Sequence, residues 1–229
     1  MIALGAVTIT CVWLLPRMRP HLPVIAPLVL GIVCMVVSIV LLPTHGSSEL
    51  LTGSVGASMH LIWQFPLMVI ITIIIGRLSF VFERWLLSLR RHPNENANLP
   101  AALQGFDIPT RNESILGIAG VATHPILFSL LTAVTVIGEE IFFRGLFLTH
   151  AFGSSSKNIL LVIGLQAILY ALTHMVFGIA TVTGKIMLGV GLGLGASIAG
   201  LAVSIIGHAV YQYWVYQQFE SLRRQKLKS

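Results

Sequence analysis

Charge is what this sequence has least of. Only a tenth of its 229 residues are Asp, Glu, Lys or Arg, and more than half are hydrophobic. Mean hydropathy is +0.89. Such a chain has too little polar surface to coat a water-soluble fold. Cysteine is scarce as well. Cys11 and Cys34 are the two, both in apolar stretches, so a disulfide framework or a zinc ribbon is excluded and they read as small core residues. Aspartate occurs once, as Asp107 in a polar stretch, which removes chemistry built on an aspartate pair. No His-Glu-x-x-His run occurs, which removes the helical zinc-hydrolase signature. The N-terminus lacks a basic leading segment and a small-residue cleavage site, so it reads as a first helix rather than a removed signal.

Long apolar runs are plentiful. Several approach the roughly 20 residues that cross a bilayer core. They are continuous rather than alternating, which selects helices over a closed barrel. The expected fold is all-α, a polytopic transmembrane helix bundle of about seven spans: about Ile2–Leu15, Val24–Leu42, Leu61–Phe82, Pro125–Leu148, Asn158–Phe177, Lys185–Ser197 and Leu201–Gln218. Residues 1–83 form the N-terminal helices and 84–124 a polar loop, with room for an interfacial helix. Residues 125–218 form a core of helices, and 219–229 a basic tail. Basic residues gather in alternate loops: Arg17 and Arg19, then Arg84, Arg90, Arg91 and Arg111, then Lys185, then the tail with Arg223, Arg224, Lys226 and Lys228, against Lys157 alone in the intervening loops. That parity sets the N-terminus outside and the C-terminus in the cytoplasm. The net charge of +6 therefore reads as topology and contact with lipid headgroups, not nucleic acid. The sequon at Asn112 falls in an expected cytoplasmic loop. Gly189 and Gly193 make a small-x-x-x-small pair that reads as close helix packing.

Six of the eight acidic residues, Glu83 among them, fall in loops or near expected helix ends. Glu139 and Glu140 do not. A charge at mid-membrane costs roughly 2.5–3.5 kcal/mol on insertion scales, so two adjacent ones need a reason. Arg144 lies one helical turn after Glu140 and is its natural partner. Glu139 is rotated by about 100° and lacks that partner. His174 and His208 are further ionisable groups inside apolar spans. A single histidine there is more often a satisfied packing residue. Two of them, on separate helices and with an unpaired glutamate, point to a site. Tyr170 precedes His174 by four residues and Gln212 follows His208 by four, each on one face with its histidine. The expected boundaries set His174 and His208 at different depths, which a converging site must reconcile.

A carboxylate taken out of water can act as a general base near neutral pH. A histidine beside it can hold the same water, and a second histidine with an amide can donate hydrogen bonds to a developing oxyanion. That set suffices to hydrolyse a peptide bond inside the membrane. A serine mechanism finds no nucleophile, because Ser154–Ser156 follow Gly153 in what reads as a turn.

Glu139-Glu140-Ile141-Phe142-Phe143-Arg144 resembles E-E-x-x-x-R, the first motif of the CPBP family. That family comprises the Rce-type CAAX prenyl proteases and the bacteriocin-processing, or Abi, membrane proteins. Tyr170-Ala171-Leu172-Thr173-His174 is similar to the second motif, F-x-x-x-H, with Tyr for Phe. His208-Ala209-Val210-Tyr211-Gln212 is similar to the third, with Gln for Asn. The resemblance covers about Pro125 to Trp214. It implies an intramembrane endopeptidase in which Glu139 and His174 activate water. His208 and Gln212 would form the oxyanion site, and Glu140 and Arg144 would brace the helix. The longer Gln212 changes the reach of the amide, and Tyr170 could add a hydrogen bond. No cofactor is implied. The alternative is zinc, with Glu139, His174 and His208 as ligands. A second alternative is a non-catalytic scaffold or regulator of the same family. A transporter would call for an inverted repeat, and none is visible. The short chain and compact loops suit a bacterial plasma membrane. The expected partners are lipid and a peptide or protein with a membrane-associated segment, such as a leader peptide, a sorting helix or a bacteriocin-like precursor.

Overall fold

A computed structural model describes residues 22–41, 61–89, 125–148, 159–174 and 178–226. The expected first span, the sequon and most of the polar loop lie outside these residues, so the count of seven spans extends beyond them. All described elements are helical: α1 (Leu22–Leu41), α2 (Leu61–Leu89), α3 (Pro125–Glu140), a π-helical turn (Ile141–Phe147), α4 (Ile159–Leu172), α5 (Ile179–Ala199) and α6 (Leu201–Lys226). Among the described residues, α2 and α5 are the two helices long and apolar enough to cross a membrane.

The distribution of side chains is that of a protein bathed in lipid. On α2 the exposed face carries Leu67, Ile70, Ile74, Leu78, Val81 and Trp85, while Thr72, Ser79 and Glu83 are buried. Burying polar side chains beneath an apolar outer surface is favourable only where the surroundings are themselves apolar. The hydroxyls of Ser38, Thr72 and Ser197 return to the carbonyl one turn back, so these polar groups are satisfied within their own helices.

Helix α5 is central and touches α2, α4, α6 and the π turn. Its glycines divide between two neighbours. A Cβ on Gly191 or Gly195 would lie 2.6 Å from Ile75 or 2.7 Å from Thr72, both on α2. A Cβ on Gly189 would lie 2.9 Å from the Ala167 backbone, and one on Gly193 3.0 Å from Gln166 and Ile163, all on α4. The Gly189/Gly193 pair is therefore a packing surface, as its spacing indicates. Gly200 alone links α5 to α6, at φ 92° and ψ 169°, a conformation open essentially to glycine. This abrupt turn folds α6 back along α5. Around the hairpin an apolar core forms from Phe80, Phe143, Tyr170, Leu188, Leu192 and Tyr211. Helix α1 packs on α3 with near backbone contact, since a Cβ on Gly138 would collide with the Gly31 carbonyl oxygen. Cys34, on α1, is buried, as a small core residue should be.

Two expected placements need correction. Lys185 is not a loop residue at the start of its span. Helix α5 begins at Ile179, and Lys185 is 3% exposed inside the bundle. A hydroxyl and an aromatic face receive its ammonium there, and this substitutes for water. Nor does Glu83 close its helix. Helix α2 runs on to Leu89, and Glu83 is fully buried because Tyr211 Oη donates to its Oε2 at 2.9 Å. Helix α6 likewise continues through the start of the expected tail, to Lys226.

Candidate active site

The site is built where α3 widens. From Ile141 the chain leaves α-helical geometry for one π turn, and four consecutive residues, Phe143 to Leu146, are buried. A helix with one inward face cannot bury four residues in succession. Here α1, α4, α5 and α6 all touch the turn. Such π turns recur at functional sites because they re-aim side chains. Glu139 and Glu140 sit immediately before it. Glu139, Glu140, Arg144 and His208 are each at most 3% exposed.

Arg144 Nη1 donates to Glu140 Oε1 at 2.9 Å, so the pair expected from the four-residue spacing is present. The guanidinium also lies 4.3 Å from the centre of the Tyr170 ring. Gln166, with its amide turned so that its oxygen faces Arg144, accepts from Nη2 and Nε at 3.3 Å. The sequence reading missed Gln166, although it stands one helical turn before Tyr170 on the same face of α4.

Glu140 does more than brace its own helix. The same Oε1 lies 2.7 Å from His208 Nδ1. A carboxylate oxygen that receives Arg144 is an acceptor, so His208 Nδ1 carries the hydrogen. On the other side of the imidazole, His208 Nε2 lies 3.2 Å from Tyr170 Oη and 3.3 Å from Gln212 Nε2. An amide nitrogen only donates, which makes His208 Nε2 the acceptor. The expected hydrogen bond from Tyr170 is therefore present and ends on His208.

Glu139 Oε2 stands 3.9 Å from His208 Nε2. This atom is buried and has no hydrogen-bond partner among the described residues. A buried oxygen without a partner is costly, and such atoms in native folds call for an unseen water or a functional role.

His174 follows the last turn of α4. Its Nδ1 lies 3.1 Å from the Tyr170 carbonyl and 3.0 Å from Thr173 Oγ1. Thr173 itself donates to that carbonyl at 2.7 Å, so its oxygen can accept. Both contacts put the hydrogen on Nδ1 and leave the lone pair on Nε2. The difference in depth between the two histidines is bridged by Tyr170. Its ring centre lies 5.0 Å from that of His174 and 5.8 Å from that of His208.

Helices α3, α4 and α6 thus bring Glu139, Glu140, Arg144, Tyr170, His174, His208 and Gln212 to one buried cluster. Lys185 joins it from α5, with Nζ 3.2 Å from Tyr170 Oη. The sequence signal for Lys185 was an amine inside an apolar, glycine-rich run. Among the described residues, no three His, Cys, Asp or Glu side chains are arranged to hold a metal ion. Residues 121–214 match the family model for type II CAAX prenyl endopeptidase, Rce1-like. The curated proteins and the solved structures give no match to the chain.

Proposed function

Residues 121–214 belong to the Rce1-like family of type II CAAX prenyl endopeptidases, and from that premise we propose that the protein is an intramembrane endopeptidase that uses Glu139 as its base. The observation that carries this reading is the buried, unpartnered Glu139 Oε2 beside His208 Nε2. A water held by Glu139 and the Nε2 lone pair of His174 gives a proton to the Glu139 carboxylate. The resulting hydroxide attacks the scissile carbonyl carbon. The Gln212 amide and His208 stabilise the oxyanion. The C–N bond then breaks with its electron pair on nitrogen, which takes up the proton held at the site. Arg144 and Glu140 keep the π turn and His208 in register throughout.

The family match together with two membrane-length helices supports a membrane location. The substrate class proposed is a peptide or protein whose cleavage site lies in or beside the bilayer, such as a bacterial leader or sorting segment. The orientation proposed from the basic loops puts the C-terminus in the cytoplasm. No metal is required by this mechanism.

The test is cleavage of a membrane-inserted peptide by the purified protein in liposomes. Glu139→Ala is expected to abolish product while leaving the protein folded. Undiminished cleavage by that variant rejects the mechanism. A folded wild-type protein that cleaves no membrane peptide offered would favour the scaffold alternative.

A further inference from the structure

Lys185 is the only basic residue of α5, and nothing in the three sequence motifs includes it. An amine buried in a membrane-spanning helix is costly and calls for a specific use. Its Nζ is held from two sides. It donates to Tyr170 Oη at 3.2 Å, and it lies 4.4 Å from the centre of the Tyr211 ring. Tyr211 is anchored in turn by Glu83 of α2. Helices α2 and α5 meet closely there, since a Cβ on Gly184 would lie 3.0 Å from the Glu83 side chain.

The hydrogen-bond directions along this line are determined by donor chemistry. An ammonium only donates, so Tyr170 Oη accepts from Lys185. The Arg144-paired carboxylate of Glu140 accepts, so His208 Nδ1 donates to it. Gln212 Nε2 only donates, so His208 Nε2 accepts. With Lys185 occupying a lone pair of the phenol oxygen, the phenolic hydrogen is left to point at His208 Nε2, 3.2 Å away. The result is one directed chain, Lys185 to Tyr170 to His208 to Glu140, with every hydrogen pointing the same way.

We propose that Lys185 is a positioning residue, which holds the Tyr170 hydroxyl against His208 Nε2 and so reinforces the Nδ1–H form that Glu140 and Gln212 set. His208 then begins the reaction with a lone pair at Nε2, 3.9 Å from Glu139 Oε2. It becomes a donor to the oxyanion only after taking the proton that Glu139 removes from water, and it gives that proton to the leaving nitrogen. The kinetic half of this inference rests on the proposed catalytic reading. The hydrogen-bonding half does not.

The experiment uses full-length protein labelled with ¹⁵N-histidine in lipid nanodiscs, with the His208 signals assigned by their loss in His208→Gln. Wild type is expected to show His208 with a protonated Nδ1 and an unprotonated Nε2. Lys185→Met releases the phenol, so the Nε2 signal is expected to shift toward that of a lone pair without its phenol donor, while Nδ1 stays protonated against Glu140. Tyr170→Phe removes the shared hydroxyl and is expected to do the same. In cleavage assays each variant is expected to lower kcat about tenfold, the worth of one strong hydrogen bond, with KM changed less than about twofold. The double variant should cost no more than either single one, because Lys185 acts through Tyr170.

Unchanged His208 signals in Lys185→Met overturn the proposal, as do kcat losses that multiply in the double variant. If Lys185→Met does not fold, unchanged His208 signals in Tyr170→Phe overturn it equally. If the wild type shows the phenol bond at His208 Nε2 and its loss in the variants but cleaves nothing, the positioning role stands and the catalytic reading fails.

Discussion

Replacing Arg144 with methionine should destabilise this protein more than replacing both members of its ion pair. Arg144 Nη1 and Glu140 Oε1 are 2.9 Å apart with both side chains fully buried, so no water can replace the guanidinium. Removing one partner of a buried pair typically costs about 3–5 kcal/mol, because an uncompensated charge remains. The structure puts Arg144→Met at or above the middle of that range, since the same change strips Glu140 of its charged partner and removes the cation over Tyr170. Arg144→Met with Glu140→Gln leaves no orphan charge, and a neutral substitute for a buried pair is often tolerated within about 1–4 kcal/mol in either direction. The double variant should therefore recover on the order of 2 kcal/mol relative to Arg144→Met alone. The assay is reversible unfolding in mixed micelles, followed by far-UV circular dichroism as the denaturing detergent fraction rises. Additive losses, or a single-variant loss below about 1 kcal/mol, would refute the claim that this pair is shut off from water.

Other outcomes follow from the same contacts. Gly138→Ala drives a methyl into the Gly31 carbonyl, so it should cost about 1–3 kcal/mol in the same unfolding assay and depress cleavage by displacing the adjacent Glu139. Gly164→Ala is its control. Nothing lies within 4 Å of the added methyl, so the helix should gain about 0.5–1 kcal/mol with cleavage unchanged. Gln212→Leu removes the proposed oxyanion donor and should lower kcat by about 10²–10³ with little change in KM. Prolonged treatment with a strong chelator should leave cleavage intact, and activity that vanishes and returns on adding Zn²⁺ would reinstate the zinc alternative.

The sequence made local relations legible and left tertiary ones hidden. Glu140 and Arg144, four residues apart on a helix, could be paired from spacing alone, and the structure has that ion pair. Tyr170 and His174 could be put on one face for the same reason. The span that carries the glutamates matches its expected ends, because Pro125 starts it and apolar residues continue to Leu148. Lys185 and Glu83 were misplaced by one shared assumption, that a lone charge marks a helix end. That assumption fails when another helix supplies a partner, as Tyr170 does for Lys185 and Tyr211 does for Glu83. Those partners are 15 and 128 residues away along the chain, and no periodicity reports them. The bond between Glu140 and His208 spans 68 residues and was equally out of reach, so Glu140 looked purely structural. The π turn leaves no mark in residue type. Its seven residues include no proline, and it is specified by contacts from four helices.

The central claim is that Glu139 activates a water and does not itself attack the peptide. Single-turnover cleavage in H₂¹⁸O, with enzyme in excess over a liposome-inserted peptide, tests this directly by mass spectrometry of both product and enzyme. One ¹⁸O atom is expected in the new carboxyl terminus of the product and none in the enzyme peptide that contains Glu139. Label in the Glu139 carboxylate, with unlabelled product from the first turnover, would show that Glu139 forms a covalent acyl intermediate and would contradict it.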